Sequence, residues 1–255
     1  MQRKVSDWAG NIAGLIIVIA VNAMASAVPI GGQTTGQVSA KLESLFTPAG
    51  FTFGIWGVIY TGLIIFVIYQ ALPGQRANAA LARIGPMFKL NCLANALWIF
   101  AWHYDQLIIS FILMLVILVS LVRIYLDLGI ARGPASTGRR FFVHLPFSLY
   151  TGWISVATIA NFSAVQSGMG LNGALLDPVS WTLVKLALAG AIGAAVILRR
   201  DDIAYGAVVA WAGFGILSKQ AGTPAVAGGA ATVVILALVL ITYVAAVWLL
   251  GRRAG

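Results

Sequence analysis

The chain has 255 residues, of which 60% are hydrophobic and 9% charged, with a mean hydropathy of +0.95 and a formal net charge of +9. A water-soluble domain carries about 25% charged residues and roughly 45–50% apolar ones, so this chain has too little polar side chain to cover a core in water and is expected to be an all-α polytopic membrane protein. The basic excess sits in loops between apolar runs, which removes nucleic acid as its explanation.

Eight runs are long and apolar enough to cross a hydrocarbon core, which takes roughly 17–25 residues of helix. Backbone amides in lipid must be satisfied within the segment, so each run is expected to be helical. They cover residues 11–29, 48–72, 85–102, 107–128, 143–165, 181–198, 203–217 and 226–250. The seventh is the shortest, and Gly206, Gly213 and Gly215 weaken its helix propensity. The basic residues test this count. Arg3 and Lys4, then Arg76, Arg83 and Lys89, then Arg123, Arg132, Arg139 and Arg140, then Arg199 and Arg200, and finally Arg252 and Arg253 occupy alternate compartments. The intervening loops hold Lys41 and Lys219, and Lys185 falls within a span. Positive charge is retained on the cytoplasmic side, so the expectation is an integral protein of a bacterial inner membrane with both termini cytoplasmic. A missed or invented span would scramble the alternation. The competing reading of the first run is a secretory signal peptide, with Ala25-Ser26-Ala27 as its cleavage site.

Three helical faces stand out. Phe53, Trp56 and Tyr60 follow i, i+3, i+7 and share one face. Asn91, Asn95, Trp98 and Trp102 make a second stripe, and Tyr150, Trp153, Ala157 and Asn161 a third. At a rise of 1.5 Å per residue, Trp56 lies about 12 Å and Tyr60 about 18 Å below the start of the second span. Trp153 falls near mid-membrane, and the three faces are expected to converge in the outer half of the bilayer. Aromatic walls with a few amides suit a large planar ligand. The alternatives are helix packing for Trp56 and Trp153, and interhelical hydrogen bonding for Asn95 and Asn161. Trp8, Trp102, Trp181 and Trp248 lie near span ends and read as interfacial anchors.

The same residues carry a family resemblance. Pro48 is followed by Phe53, Gly54, Trp56 and Tyr60; the third span offers Asn95 and Trp98; the fifth offers Tyr150, Trp153, Ala157 and Asn161. In this order and on these spans, the motifs resemble the TspO/MBR family, the tryptophan-rich sensory or translocator proteins. One residue fewer separates Gly54 from Trp56 than in the family's pattern, and the family's proline ahead of the fifth-helix tryptophan is displaced to Pro146. The resemblance implies a five-helix bundle over residues 1–165, with a pocket for a tetrapyrrole such as haem or protoporphyrin, or for a sterol-like lipid. It also implies a lid-like loop after the first helix, and the glycine-rich segment 30–47 is expected to be a flexible cover of the pocket mouth. Residues 166–255 form a three-helix extension outside the familiar form, expected to be a separable module.

Other chemistry is limited. Cys92 lies in an apolar run and is read as a small buried hydrophobe. His103 and His144 are the two histidines, so no Cys/His zinc cluster can be assembled; each reads first as an interfacial histidine, and His103, the nearer to the aromatic faces, is the alternative axial ligand. Lys185, about one turn from Trp181, is expected to snorkel, and Asp201 and Asp202 read as solvated loop charges. Ala187, Ala191 and Ala195, with Gly190 and Gly193 beside them, offer a small-residue face for packing the extension on the bundle or for a partner contact. No nucleophile–base pair or phosphate loop is present, so no enzyme is expected and no cofactor is obligatory. The expected function is binding of a hydrophobic planar ligand, through Phe53, Trp56, Tyr60, Asn95, Trp98, Tyr150, Trp153 and Asn161, in a sensory, carrier or regulatory role. The alternatives are a non-catalytic assembly subunit of a larger membrane pigment–protein complex and a transporter of small lipophiles. Expected partners are the lipid bilayer, the ligand, and a second copy or a membrane-complex partner.

Overall fold

A computed structural model describes residues 3–28, 30–133 and 135–251. Pro29, expected to close the first span, and the basic pair Arg252 and Arg253 lie outside the described residues. The elements in order are α1 (Val5–Ala27), α2 (Thr35–Lys41), a 3-10 turn (Gly50–Gly54) that leads into α3 (Ile55–Ala71), a 3-10 turn (Pro73–Gln75), α4 (Ala79–His103) and α5 (Leu107–Leu128). A single turn α6 (Thr137–Arg139) and a π turn (Arg140–His144) then run into α7 (Leu145–Gly168), followed by α8 (Pro178–Arg200), α9 (Ile203–Lys219) and α10 (Pro224–Gly251).

The helix ends carry their signals locally. The Asn78 side chain accepts from the amides of Ala80 and Leu81 and starts α4 six residues before the apolar run expected at 85, carrying Pro86 inside the helix. Asp177 caps α8, with Pro178 in the first turn, and Asp202 caps α9 by accepting from the Tyr205 amide. Gly129, at φ 60, takes the left-handed conformation that ends α5.

Among the described residues, seven helical stretches are long and apolar enough to span a membrane. The eighth, α9, has 17 residues, about 25 Å of helix against a hydrocarbon core of about 30 Å. It lies within the protein, against α7, α8 and α10. Neighbouring helices close a ring in the order α1, α3, α7, α5, α4 and back to α1. α9 packs on the outer side of α7, and α8 and α10 flank α9. This makes α7 the central helix. Hydropathy follows the same logic: the stretch Thr137–Gly168 averages 1.2 and is the most buried, whereas α5 and the stretch Pro224–Leu250 average 2.9 and turn much more of their surface outward.

Close approach of helices relies on small residues, since van der Waals packing drives association between helices in lipid. A Cβ at Gly152 of α7 would stand 3.2 Å from Val208 Cβ and 3.3 Å from the Tyr205 carbonyl oxygen of α9. Gly193 of α8 meets Val209, and Gly62 of α3 meets Pro146 of α7. Ala187 and Ala191 are exposed and do not pack the extension on the bundle; the face of α8 that packs is Leu186, Ala189, Gly190, Gly193 and Ile197. The glycines admit a neighbouring side chain where an alanine methyl would intrude.

One hydrophobic core takes side chains from α1, α3, α4, α5, α7, α8, α9 and α10, including Leu15, Ile59, Phe88, Ile117, Trp153, Leu186, Val208 and Val233. The extension therefore shares its core with the five-helix ring, and the division at residue 165 falls inside α7. Cys92 is buried in this core, against Gly14.

Each end of the bundle is tied by polar contacts. At one end the Arg3 guanidinium pairs with Asp7 at 2.7 Å and donates to Gln70 Oε1 at 2.9 Å, while Asn11 donates to the same oxygen at 2.9 Å. Arg3 donates its amide to the Arg76 carbonyl, and Arg76 lies over the Trp8 ring. At the other end Lys41 pairs with Asp105 at 2.5 Å and Lys219 with Glu43 at 2.8 Å. Asp202 corrects the expectation of a solvated charge. It is 4% exposed and accepts from the hydroxyls of Tyr125 and Ser148, each at 2.7 Å, so one carboxylate joins α5, α7 and α9.

Candidate functional site

The 3-10 turn Gly50–Gly54 delivers Phe53 and Trp56 to the inside of the ring, and Tyr60 follows one turn later on α3. From α7, Tyr150 and Trp153 meet them. Trp56 stacks on Tyr60 with centroids 5.2 Å apart and planes 22° apart. Its edge contacts are to Tyr150 at 5.9 Å and Trp153 at 6.2 Å, and Phe53 meets Trp153 at 5.9 Å. Five of the eight expected site residues thus form one aromatic cluster. Tyr150 and Trp153 are buried, while Phe53, Trp56 and Tyr60 are half-buried.

Trp56 and Trp153 do not stand as parallel walls of an open slot. Two rings that sandwich a flat molecule stand roughly 7 Å apart and parallel, twice a contact distance of about 3.5 Å. These rings are 6.2 Å apart and 83° from parallel, so they touch one another edge to face. Such packing is what ring quadrupoles favour.

α4 supplies the polar side. Asn95 donates to Tyr150 Oη at 2.9 Å and accepts from Asn22 of α1 at 3.0 Å. Asn22 was missed by the stripe analysis, although it is a lone amide in an apolar run. Its Nδ2 also donates to the Val18 carbonyl, which orients it. Asn91 instead bonds the Ile117 carbonyl and Ser120 of α5, as interhelical glue. Asn161 lies eight residues beyond Trp153, about 12 Å along α7, and makes long contacts of 3.4 and 3.5 Å with Ser110 of α5. The structure does not bring it to the cluster.

Trp98 bridges the cluster side of α4 to the lid. It stacks on Trp102 at 5.6 Å and 18°, and Trp102 is buried among Val38, Leu42 and Ala164. Trp102 is therefore not an interfacial anchor; its indole donates to the Thr35 carbonyl of α2. The segment 30–47 is more ordered than its glycines suggested. α2 carries a capping box between Thr34 and Gln37, Val38 is fully buried, and Phe46 enters the main core. His103 fastens this lid. Its Nδ1–H donates to the Ile99 carbonyl at 2.7 Å, which leaves Nε2 to accept from Thr35 Oγ1 at 3.3 Å. Both ring nitrogens are thus hydrogen-bonded within the protein, one to α4 and one to α2.

The floor of the cluster leans on the extension. The Trp211 indole of α9 donates to the Thr52 carbonyl at 2.9 Å, and Phe51 makes an edge contact with Trp211 at 5.5 Å. The Ala49 amide donates to the Gly215 carbonyl at 3.0 Å. Sequence spacing had no means of pairing residue 52 with residue 211.

Three polar atoms here have no partner among the described residues: Tyr60 Oη, Trp98 Nε1 and Trp153 Nε1, all buried. Each is a hydrogen-bond donor, and a buried donor left unmet costs about 1–3 kcal/mol. On the opposite side of α7, between α5 and α8, lies a separate groove of about 440 Å³ lined by Leu118, Val122, Thr151, Ser155, Ile159, Leu188 and Arg200 among others.

A family model described as TSPO-like protein matches residues 7–248, and so covers the extension as well as the five-helix ring. No curated protein and no solved structure matches the chain.

Proposed function

The chain belongs to the TSPO-like protein family, and on that premise we propose that its five-helix ring binds a hydrophobic planar ligand, a tetrapyrrole such as haem or a porphyrin, or a sterol-like lipid, in a sensory, carrier or regulatory role. The observation that carries this reading is the set of three buried donors, Tyr60 Oη, Trp98 Nε1 and Trp153 Nε1, around an aromatic cluster. A flat ligand with acceptor atoms on its rim satisfies such donors while its π face meets Phe53, Trp56 and Tyr60, which are half-buried. Entry between Trp56 and Trp153 requires the two rings to part, and Trp56, the less buried, is the one that moves. The protein acts within a bilayer, with the basic loops and both termini on the cytoplasmic side.

Protoporphyrin titration followed by tryptophan quenching tests this. Loss of an aromatic contact worth about 0.5–1.5 kcal/mol beyond burial weakens binding several-fold, so Trp56→Ala and Trp153→Ala bind poorly while Trp56→Phe stays close to the parent. Trp153→Phe and Tyr60→Phe keep the rings and remove one donor each, and lose affinity for porphyrins bearing free carboxylates more than for their esters. Parent-like affinity in both alanine variants refutes the site. The groove between α5 and α8 favours a second reading, carriage of a small lipophile. Ser155→Phe, which fills that groove, then abolishes lipophile transfer between vesicles and leaves porphyrin quenching unchanged.

A further inference from the structure

A second cavity, of about 230 Å³, lies at the end of the bundle that carries Lys41 and Lys219, between the lid segment and the start of α8. That is room for on the order of ten water molecules. Lys185, Gln166 and Gln220 line it, and their exposures are only 6%, 7% and 8%. Lys185 does not snorkel as expected. Its ammonium sits 5.7 Å from the Phe162 ring and 5.9 Å from the Trp181 ring, and no acidic side chain among the described residues pairs with it. Gln166 Oε1 is buried without a hydrogen-bond partner. Three polar side chains are thus withdrawn from bulk solvent into a formed cavity without bonding one another, although buried polar groups are normally hydrogen-bonded.

The charges select the ligand. Among the described residues, Lys185 is the one cationic side chain lining the cavity, and the one carboxylate lining it, Glu43, is already paired with Lys219. A dianion would meet one cation and one acid, so a monoanion fits better than a phosphate. Gln166 Oε1 requires a donor from the ligand, and Trp181 offers an apolar side. We infer that this cavity binds a small monocarboxylate carrying a hydroxyl or ammonium donor, with the carboxylate on Lys185 Nζ and the donor on Gln166. This site is separate from the aromatic cluster, and its test does not depend on porphyrin binding.

Full-length protein in phosphatidylcholine nanodiscs is titrated with glycolate and with acetate, followed by saturation-transfer NMR of the small molecule. Glycolate binds about five-fold more tightly than acetate, by one neutral hydrogen bond. Gln166→Leu brings glycolate down to the level of acetate. Lys185→Met weakens both by about ten-fold or more, the loss of a charge-assisted bond, while Lys185→Arg stays within a few-fold of the parent and guards against a folding defect. Adding phosphatidylserine, whose headgroup also bears a carboxylate beside a donor, separates the two sources: competition with glycolate assigns the site to a lipid headgroup, and its absence to a free solute. Equal glycolate affinity in the parent and Lys185→Met, or no saturable binding at millimolar glycolate, overturns the inference.

Discussion

Asp202 offers the clearest quantitative test of how the extension is joined to the ring. The Asp202→Ala change removes the acceptor of the Ser148 and Tyr125 hydroxyls, both at 2.7 Å, and the cap on the Tyr205 amide at 3.1 Å. Each stranded buried hydroxyl costs about 1–3 kcal/mol, and loss of a helix cap adds about 1 kcal/mol. Against this, a buried carboxylate with no ion-pair partner among the described residues has itself been desolvated, and its removal returns part of that cost. The net expectation is a loss of about 3 kcal/mol. Asp202→Asn keeps an acceptor oxygen and the cap, so it loses less. Tyr125→Phe alone costs about 1 kcal/mol. The double variant Asp202→Ala with Tyr125→Phe is then less destabilised than the sum, because no tyrosine hydroxyl is left stranded. Reversible unfolding in mixed detergent micelles measures all four. If Asp202→Ala falls within about 0.5 kcal/mol of the parent, the size of a neutral surface change, or if the double variant is strictly additive, the carboxylate does not join these helices.

A Cβ at Gly215 would overlap the buried side chain of Thr52, so Gly215→Val is expected to cost about 1–3 kcal/mol by overpacking and, through the turn that positions Trp56, to weaken porphyrin quenching several-fold; an unchanged titration would show that α9 does not set the aromatic cluster. Truncation after Gly170 uncovers Gly152 and Ser148 and removes Trp211 from Thr52, so the shortened chain is expected to melt well below the parent in detergent, and a parent-like melt would show that the ring folds alone. Reporter fusions at Gly138 and after Gly255 are expected to report cytoplasm and one at Asn172 the outer side; a cytoplasmic signal at Asn172 breaks the eight-helix topology.

Most of the helices were legible because apolar length is a one-dimensional property. Leu107–Leu128 has the same limits in the sequence and in the structure. Most of the aromatic cluster was legible for a related reason: Phe53, Trp56 and Tyr60 share a helix face by spacing alone, as do Tyr150 and Trp153. What spacing does not encode is which partner a face receives. Asp201 and Asp202 are chemically identical neighbours, yet one is exposed and the other is 4% exposed under the hydroxyls of Tyr125 and Ser148 from two other helices. Asn161 sits on the expected face but too far along α7 to reach the cluster. On α8 both the alanine and the glycine registers predict close packing, and only the shape of Val209 and Val233 opposite decides for the glycines. The lid was misjudged because glycine content reports the freedom of an isolated segment, whereas Val38 and Phe46 anchor this one.

The central position of α7 has a consequence for the order in which the protein is made. During synthesis this helix enters the bilayer before α8, α9 and α10 exist, so its hydroxyl-bearing side first meets acyl chains. The hydroxyls of Thr151, Ser155 and Thr158 donate to carbonyls four residues earlier on the same helix, at 2.6, 2.8 and 2.7 Å, a bond that needs no other segment. They can wait in lipid. Ser148 differs, because its hydroxyl bonds Asp202, which is made only after the whole of α8. Synthesis of α8 and the start of α9 is therefore the event that gives the Ser148 hydroxyl its partner, and a ribosome paused ahead of Asp202 holds a nascent chain whose fifth apolar helix still carries that hydroxyl without it.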